Sequence, residues 1–85
     1  MKRIFNFIWY KNERYRIMER ESLITVISTG DIGYDAKQAV EVFCKTFGNL
    51  KKNTIISIQE VNEKNEPIGE PIIPMNENSI IPIKK

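Results

Sequence analysis

The apolar positions near the start of the chain alternate. Residues 3–10 place Phe5, Phe7 and Trp9 on one side of an extended backbone and Ile4, Ile8 and Tyr10 on the other. Successive strand side chains point to opposite faces, so this run predicts a β-strand that is apolar on both. Lys11, Asn12 and Glu13 form a short polar turn, after which residues 14–18 open a second strand, with Tyr15 and Ile17 on one side and Arg14, Arg16 and Met18 on the other. The charged residues 19–22 bend or bulge this strand before residues 23–28 resume it. The pattern predicts one long bent strand, with two short ones as the alternative.

The period then changes from two to 3.6. Residues 28–33 form a loop by composition, and Ala36, Ala39, Val40, Phe43 and Phe47 recur at helical spacing while Lys37, Glu41 and Lys45 face away. A helix is predicted over residues 35–47, with Asp35 as N-cap, Gln38 completing a capping-box-like pair, and Gly48 ending it. Residues 54–61 read as a further strand. The turn chemistry of residues 62–66 leads into Pro67, Ile68, Gly69, Glu70, Pro71 and Ile72. Prolines donate no ladder hydrogen bond, so this last strand belongs at a sheet edge and is irregular.

These elements predict an α+β fold of order β-β-α-β-β: two β-hairpins in a single antiparallel sheet, with one helix packed on one face. Residues 1–75 make the domain. Residues 76–85, which repeat the Ile-Ile-Pro triplet of residues 72–74, form a C-terminal tail, either an extended arm or disordered.

Composition sharpens this picture in three places. The chain has 85 residues, enough for one small core. Fifteen Ile, nine Lys and eight Asn point to an A/T-rich genome, so isoleucine-rich runs say less than usual about strands. Cys44 is the only cysteine, which excludes a disulfide-stapled secreted scaffold and makes the cytoplasm the expected compartment. The basic, apolar start has an interrupted hydrophobic run and no small-residue cleavage site, and no stretch approaches the roughly 20 apolar residues of a membrane span.

The net charge of +2 is unevenly spread: residues 1–20 carry six basic and two acidic side chains. A basic face is therefore expected on the N-terminal hairpin.

Candidate chemistry is sparse. The absence of histidine removes the commonest general base and metal ligand, and one cysteine cannot build a zinc site. Glu60, Glu63, Glu66 and Glu70 surround a turn, where a solvated loop explains them better than a calcium site. Gly30, Asp31, Ile32 and Gly33 lack the Lys and Ser/Thr of a phosphate-binding loop, and Asp31 and Asp35 put negative charge where a phosphate would sit. A strand-to-helix turn is the better reading. Cys44, beside Phe43 on the helix, reads as a small core or boundary residue. No enzyme activity, metal or cofactor is expected.

Two surfaces remain as candidates. On the hairpin, Arg3, Lys11, Arg14, Arg16 and Arg20 could contact a partner or the phosphates of a nucleic acid while Phe5, Phe7, Trp9 and Tyr15 stack on bases. So small a domain needs those aromatics for its core, which favours a protein surface over a stacking platform. The second candidate is apolar: Ile4, Ile8 and Tyr10 on the second face of the first strand, with Ile68 and Ile72 on the proline-rich edge. An uncovered apolar face predicts a homo-oligomer or a partner protein.

The size, the Ile/Lys/Asn bias and the hairpin-helix-hairpin order resemble small accessory proteins of bacteriophages and mobile elements of low-GC bacteria. That resemblance implies a small non-enzymatic binding module acting by protein-protein contact in the host cytoplasm, as an inhibitor of a host or defence protein. Two alternatives stand beside it: nucleic-acid binding through the basic aromatic hairpin, and sequestration of a nucleotide between subunits.

Overall fold

The computed structural model describes residues 1–12 and 18–72. Three strands and one helix are formed, in the order β1 (Lys2–Lys11), β2 (Glu19–Ile27), α1 (Ile32–Phe47) and β3 (Asn53–Val61). The sheet is antiparallel throughout, ordered β2-β1-β3, so β1 is central. The fold is α+β.

The β1–β2 ladder runs without a slip from Lys2 opposite Ile27 to Tyr10 opposite Glu19. The charged stretch at residues 19–22 is therefore strand paired in register, with no bulge against β1. An irregularity occurs instead on the other side of β1, between Ile8 and Trp9: Ile8 pairs with Ser57 and Trp9 with Ile55, leaving Ile56 as the extra residue. Residues 14–17, read from sequence as the start of the second strand, lie outside the described residues, as does the tail at 76–85.

Three strands form among the described residues rather than the predicted four. The segment after β3 follows its outer edge but meets it only at isolated bridges, Val61 with Pro67 and Ile58 with Ile72. Ile58 and Ile72 exchange two backbone hydrogen bonds of 2.8 Å, and Ile68 N–H donates to Glu60 O at 2.8 Å. Pro67 and Pro71 have no N–H to give, and Gly69, at φ 70°, turns the chain out of strand geometry.

The helix begins earlier than its apolar stripe suggested. Asp31, not Asp35, is the N-cap: its backbone is extended, and its Oδ1 accepts from Gly33 N–H at 3.0 Å and Tyr34 N–H at 3.2 Å. Asp35 lies in the first turn, fully buried. Gly48 ends the helix, its N–H donating to Cys44 O at 3.0 Å.

One face of the sheet carries the core. Phe5, Phe7 and Trp9 are buried against Ala36, Ala39, Val40 and Phe43 of α1, with Ile24 and Val26 of β2 and Ile55 and Ile58 of β3 completing the cluster. Cys44, Leu50 and Ile72 pack at its margin. Phe43 is the hub. Its ring lies 5.1 Å from Phe7, stacked at 8°, and 5.0 Å from Trp9, edge-on at 88°. Phe47 touches both Trp9 and Phe43 yet stays 36% exposed, so it closes the rim of the core where the sequence pattern put it inside.

Candidate functional site

Strand phase decides what each N-terminal side chain can do. Phe5, Phe7 and Trp9 share the face of β1 that meets α1 and are at most 1% exposed, so none presents a ring to a ligand. The indole N–H of Trp9 donates to Ser22 Oγ at 3.1 Å, and the guanidinium of Arg20 lies over the same ring, 5.4 Å from its centroid.

Among the described residues, Arg3 stands apart from Lys11 and Arg20. Arg3 and Trp9, the residue Arg20 covers, are six positions apart on β1, about 20 Å along the strand. Lys11 is exposed at the same end as Arg20. Arg14 and Arg16 lie outside the described residues.

Arg3 is engaged in a network. Its Nε lies 3.0 Å from Asp35 Oδ2, its Nη1 donates to Glu60 Oε1 at 3.1 Å, and its Nη2 donates to Ser28 Oγ at 3.3 Å. Asp35 also accepts from the Thr29 hydroxyl at 2.8 Å, from Thr29 N–H at 3.0 Å, and from the Ser28 hydroxyl at 3.2 Å. Burial alone would raise the pKa of Asp35, but the Thr29 and Ser28 hydrogen bonds and the Arg3 charge outweigh it and hold the carboxyl below its ordinary value. One guanidinium thus ties β1 to the start of α1 and to β3. It is a structural clasp.

A cleft of about 450 Å³ opens beside this clasp, its apolar lining Phe5, Ile32, Ile68 and Ile72 and its charged lining Arg3, Glu60 and Glu70. Arg3, its one basic group, is paired with Asp35 and Glu60, so the cleft offers an anionic ligand no unpaired cation. Among the described residues no group of three or more Cys, Asp or Glu side chains could hold a metal ion, and no helix is long and apolar enough to cross a membrane.

Among the described residues no helix lies on the opposite face of the sheet. Ile4, Ile8 and Tyr10 of β1 lie there, part-buried among their neighbours, and across the ladder stand Thr25, Glu21 and Glu19 of β2. Leu23 and Ile27 belong to the same face and are 57% and 75% exposed. Asn6 sits at its centre, donating from Nδ2 to Glu21 Oε2 at 2.6 Å and to Asn65 Oδ1 at 3.4 Å. Ile68 is exposed, whereas Ile72 is half-buried against the core and bonded to β3.

Leu23 and Ile27 were not singled out from sequence. In residues 23–27 both alternating sets are rich in aliphatics, so period two does not say which set faces inward. The signal lies one strand away: Phe5, Phe7 and Trp9 fix the core face of β1, and the register then carries that assignment to β2.

The chain matches no protein-family model, no curated protein and no solved structure.

Proposed function

We propose that this chain is a non-enzymatic binding module that docks a partner protein on the sheet face opposite α1. The observation that supports it is the exposure of Leu23 and Ile27 beside Ile4, Ile8 and Tyr10 on the β1–β2 half of a face that no helix covers among the described residues. Apolar side chains at this density stay in water only at a cost, and burying them against a partner recovers it. In the setting that the size and composition resemble, such a partner is a host or defence protein whose surface the module occupies and so inhibits.

Nucleic-acid binding is the weaker reading, because Phe5, Phe7 and Trp9, the rings it would stack on bases, are committed to the core. Nucleotide sequestration finds no unpaired cation among the residues that line the cleft beside Arg3.

The test is affinity capture from the cells that carry the gene, with Ile8→Lys as the surface variant and Lys37→Glu, on the exposed side of α1, as control. Partner recovery with wild type and Lys37→Glu but not with Ile8→Lys is expected, with far-UV circular dichroism showing all three folded. Equal recovery by all three would sink the reading. A gel shift at low salt that disappears in Arg14→Ala/Arg16→Ala would favour the nucleic-acid alternative.

A further inference from the structure

The two edges of the sheet are not equivalent. The outer edge of β3 is closed by the segment that follows it, through the Ile58–Ile72 exchange and the Ile68–Glu60 bond. The outer edge of β2 meets nothing among the described residues. Its phase can be worked out. Ser28 N–H donates to Met1 O at 2.9 Å, extending the β1–β2 ladder by one pair. In an antiparallel pair, alternate residues turn both backbone groups to the same neighbour, so the even-numbered residues of β2 serve β1. The N–H and C=O groups of Glu19, Glu21, Leu23, Thr25 and Ile27 therefore point away from the sheet.

We infer that β2 pairs antiparallel with β2 of a second copy of this chain about a two-fold axis at Thr25. The two sheets then join into one of six strands.

Three features of this edge fit a copy of itself. First, residues 22–27 contain no charge, Pro, Gly or Lys, the devices that usually keep an exposed edge from pairing. Second, the register centred on Thr25 sets Leu23 opposite Ile27 of the other copy, twice, and Thr25 opposite itself. The two most exposed aliphatics of the strand thus cover each other and no like charges meet. A register centred on Glu21 would oppose two glutamates instead. Third, beyond the buried Asp35 the flank of α1 on the β2 side presents Val42 and Thr46, which carry no charge. Asp35, bonded to Ser28 and Thr29 at the end of β2, marks that side, and Val42 and Thr46 follow it at helical positions seven and eleven further on. Val42 is 40% exposed there, where the partner helix would approach.

This pairing uses the outward backbone of β2, whereas partner docking is centred on Ile4, Ile8 and Tyr10 of β1. Leu23 and Ile27 serve both, so the two are told apart by Thr25→Pro, which removes an outward N–H of the edge and no apolar side chain of the docking face. Sedimentation of the purified wild-type chain is expected to give twice its 10.0 kDa mass. Ile27→Asp, a change at a side chain already 75% exposed, should raise the dimer dissociation constant about 100-fold or more without unfolding the chain. In a Cys44→Ser background, Thr25→Cys should cross-link to itself on oxidation or with a short bismaleimide, and Lys37→Cys should not. A monomer at high concentration, a dimer unmoved by Ile27→Asp, or no cross-link at Thr25→Cys would each overturn the proposal. Loss of the dimer in Thr25→Pro with capture of a partner intact would leave the proposed function standing.

Discussion

The guanidinium of Arg3 lies 3.0 Å from the carboxylate of Asp35, and the carboxylate is fully buried. Removing one member of such a pair strands the other charge without water. Arg3→Met is expected to lower stability by about 3 kcal/mol. The double variant Arg3→Met/Asp35→Asn should lose less than the sum of its single changes, because no buried charge is then left unpaired. Urea unfolding of the four proteins closes the cycle, and strict additivity would count against the clasp.

The same carboxylate makes stability depend on acid. Its pKa is lowered in the folded state from an ordinary 3.8, so the unfolded chain binds the proton more readily. The stability that Asp35 contributes is whole above that value and disappears as pH falls through the lower, folded one. Wild type should lose stability steeply below about pH 4. Asp35→Asn should be less stable at neutral pH and should fall less steeply over the acid range. Denaturant midpoints across that range would show this, and parallel curves for the two proteins would refute it.

Phe43 and Phe47 sit one helical turn apart and should differ in consequence. Phe43 is fully buried between Phe7 and Trp9, so Phe43→Ala leaves a cavity and is expected to cost about 3–5 kcal/mol. Phe47, over a third exposed, should cost clearly less when truncated. Thermal or urea unfolding distinguishes them.

The end of α1 depends on Gly48 and Asn53. Gly48 has φ 117°, and a Cβ there would stand 3.2 Å from Asn53 Nδ2. That amide, 2% exposed, donates to Phe47 O at 3.1 Å and so satisfies a carbonyl the helix leaves open. Gly48→Ala is expected to cost about 1–2 kcal/mol through the backbone it forces. Asn53→Ala should cost a similar amount, about 1–3 kcal/mol, through the unpaired carbonyl. Equal stability of Asn53→Ala and wild type would contradict this account.

Much of the fold was legible in the sequence wherever periodicity was unambiguous. Phe5, Phe7 and Trp9 gave β1 and its core face, and Ala36, Ala39, Val40 and Phe43 gave the inward stripe of α1. The helix start was misplaced because two aspartates, Asp31 and Asp35, each suit a cap. Only the fold, by bringing Arg3, Ser28 and Thr29 around the second, shows that it is buried and that the first does the capping. The fourth strand was overcounted because strand propensity at Ile68 and Ile72 says nothing of the two prolines and Gly69 that limit the segment to isolated bridges. For the candidate face, Ile4, Ile8 and Tyr10 could be read from alternation alone. Leu23 and Ile27 could not, since that requires knowing which strand lies beside β1 and in what register.

The strand order sets a sequence of events. The central strand is β1, and its bond from Arg3 to Glu60 closes a separation of 57 residues, whereas the β1–β2 ladder closes across a hairpin. Chain closure becomes more costly with length, so the hairpin and α1 can assemble early while one side of β1 waits for β3. During synthesis β1 has emerged long before β3 is made. Over that interval two sheet edges are open: the one that β3 later takes, and the one on β2.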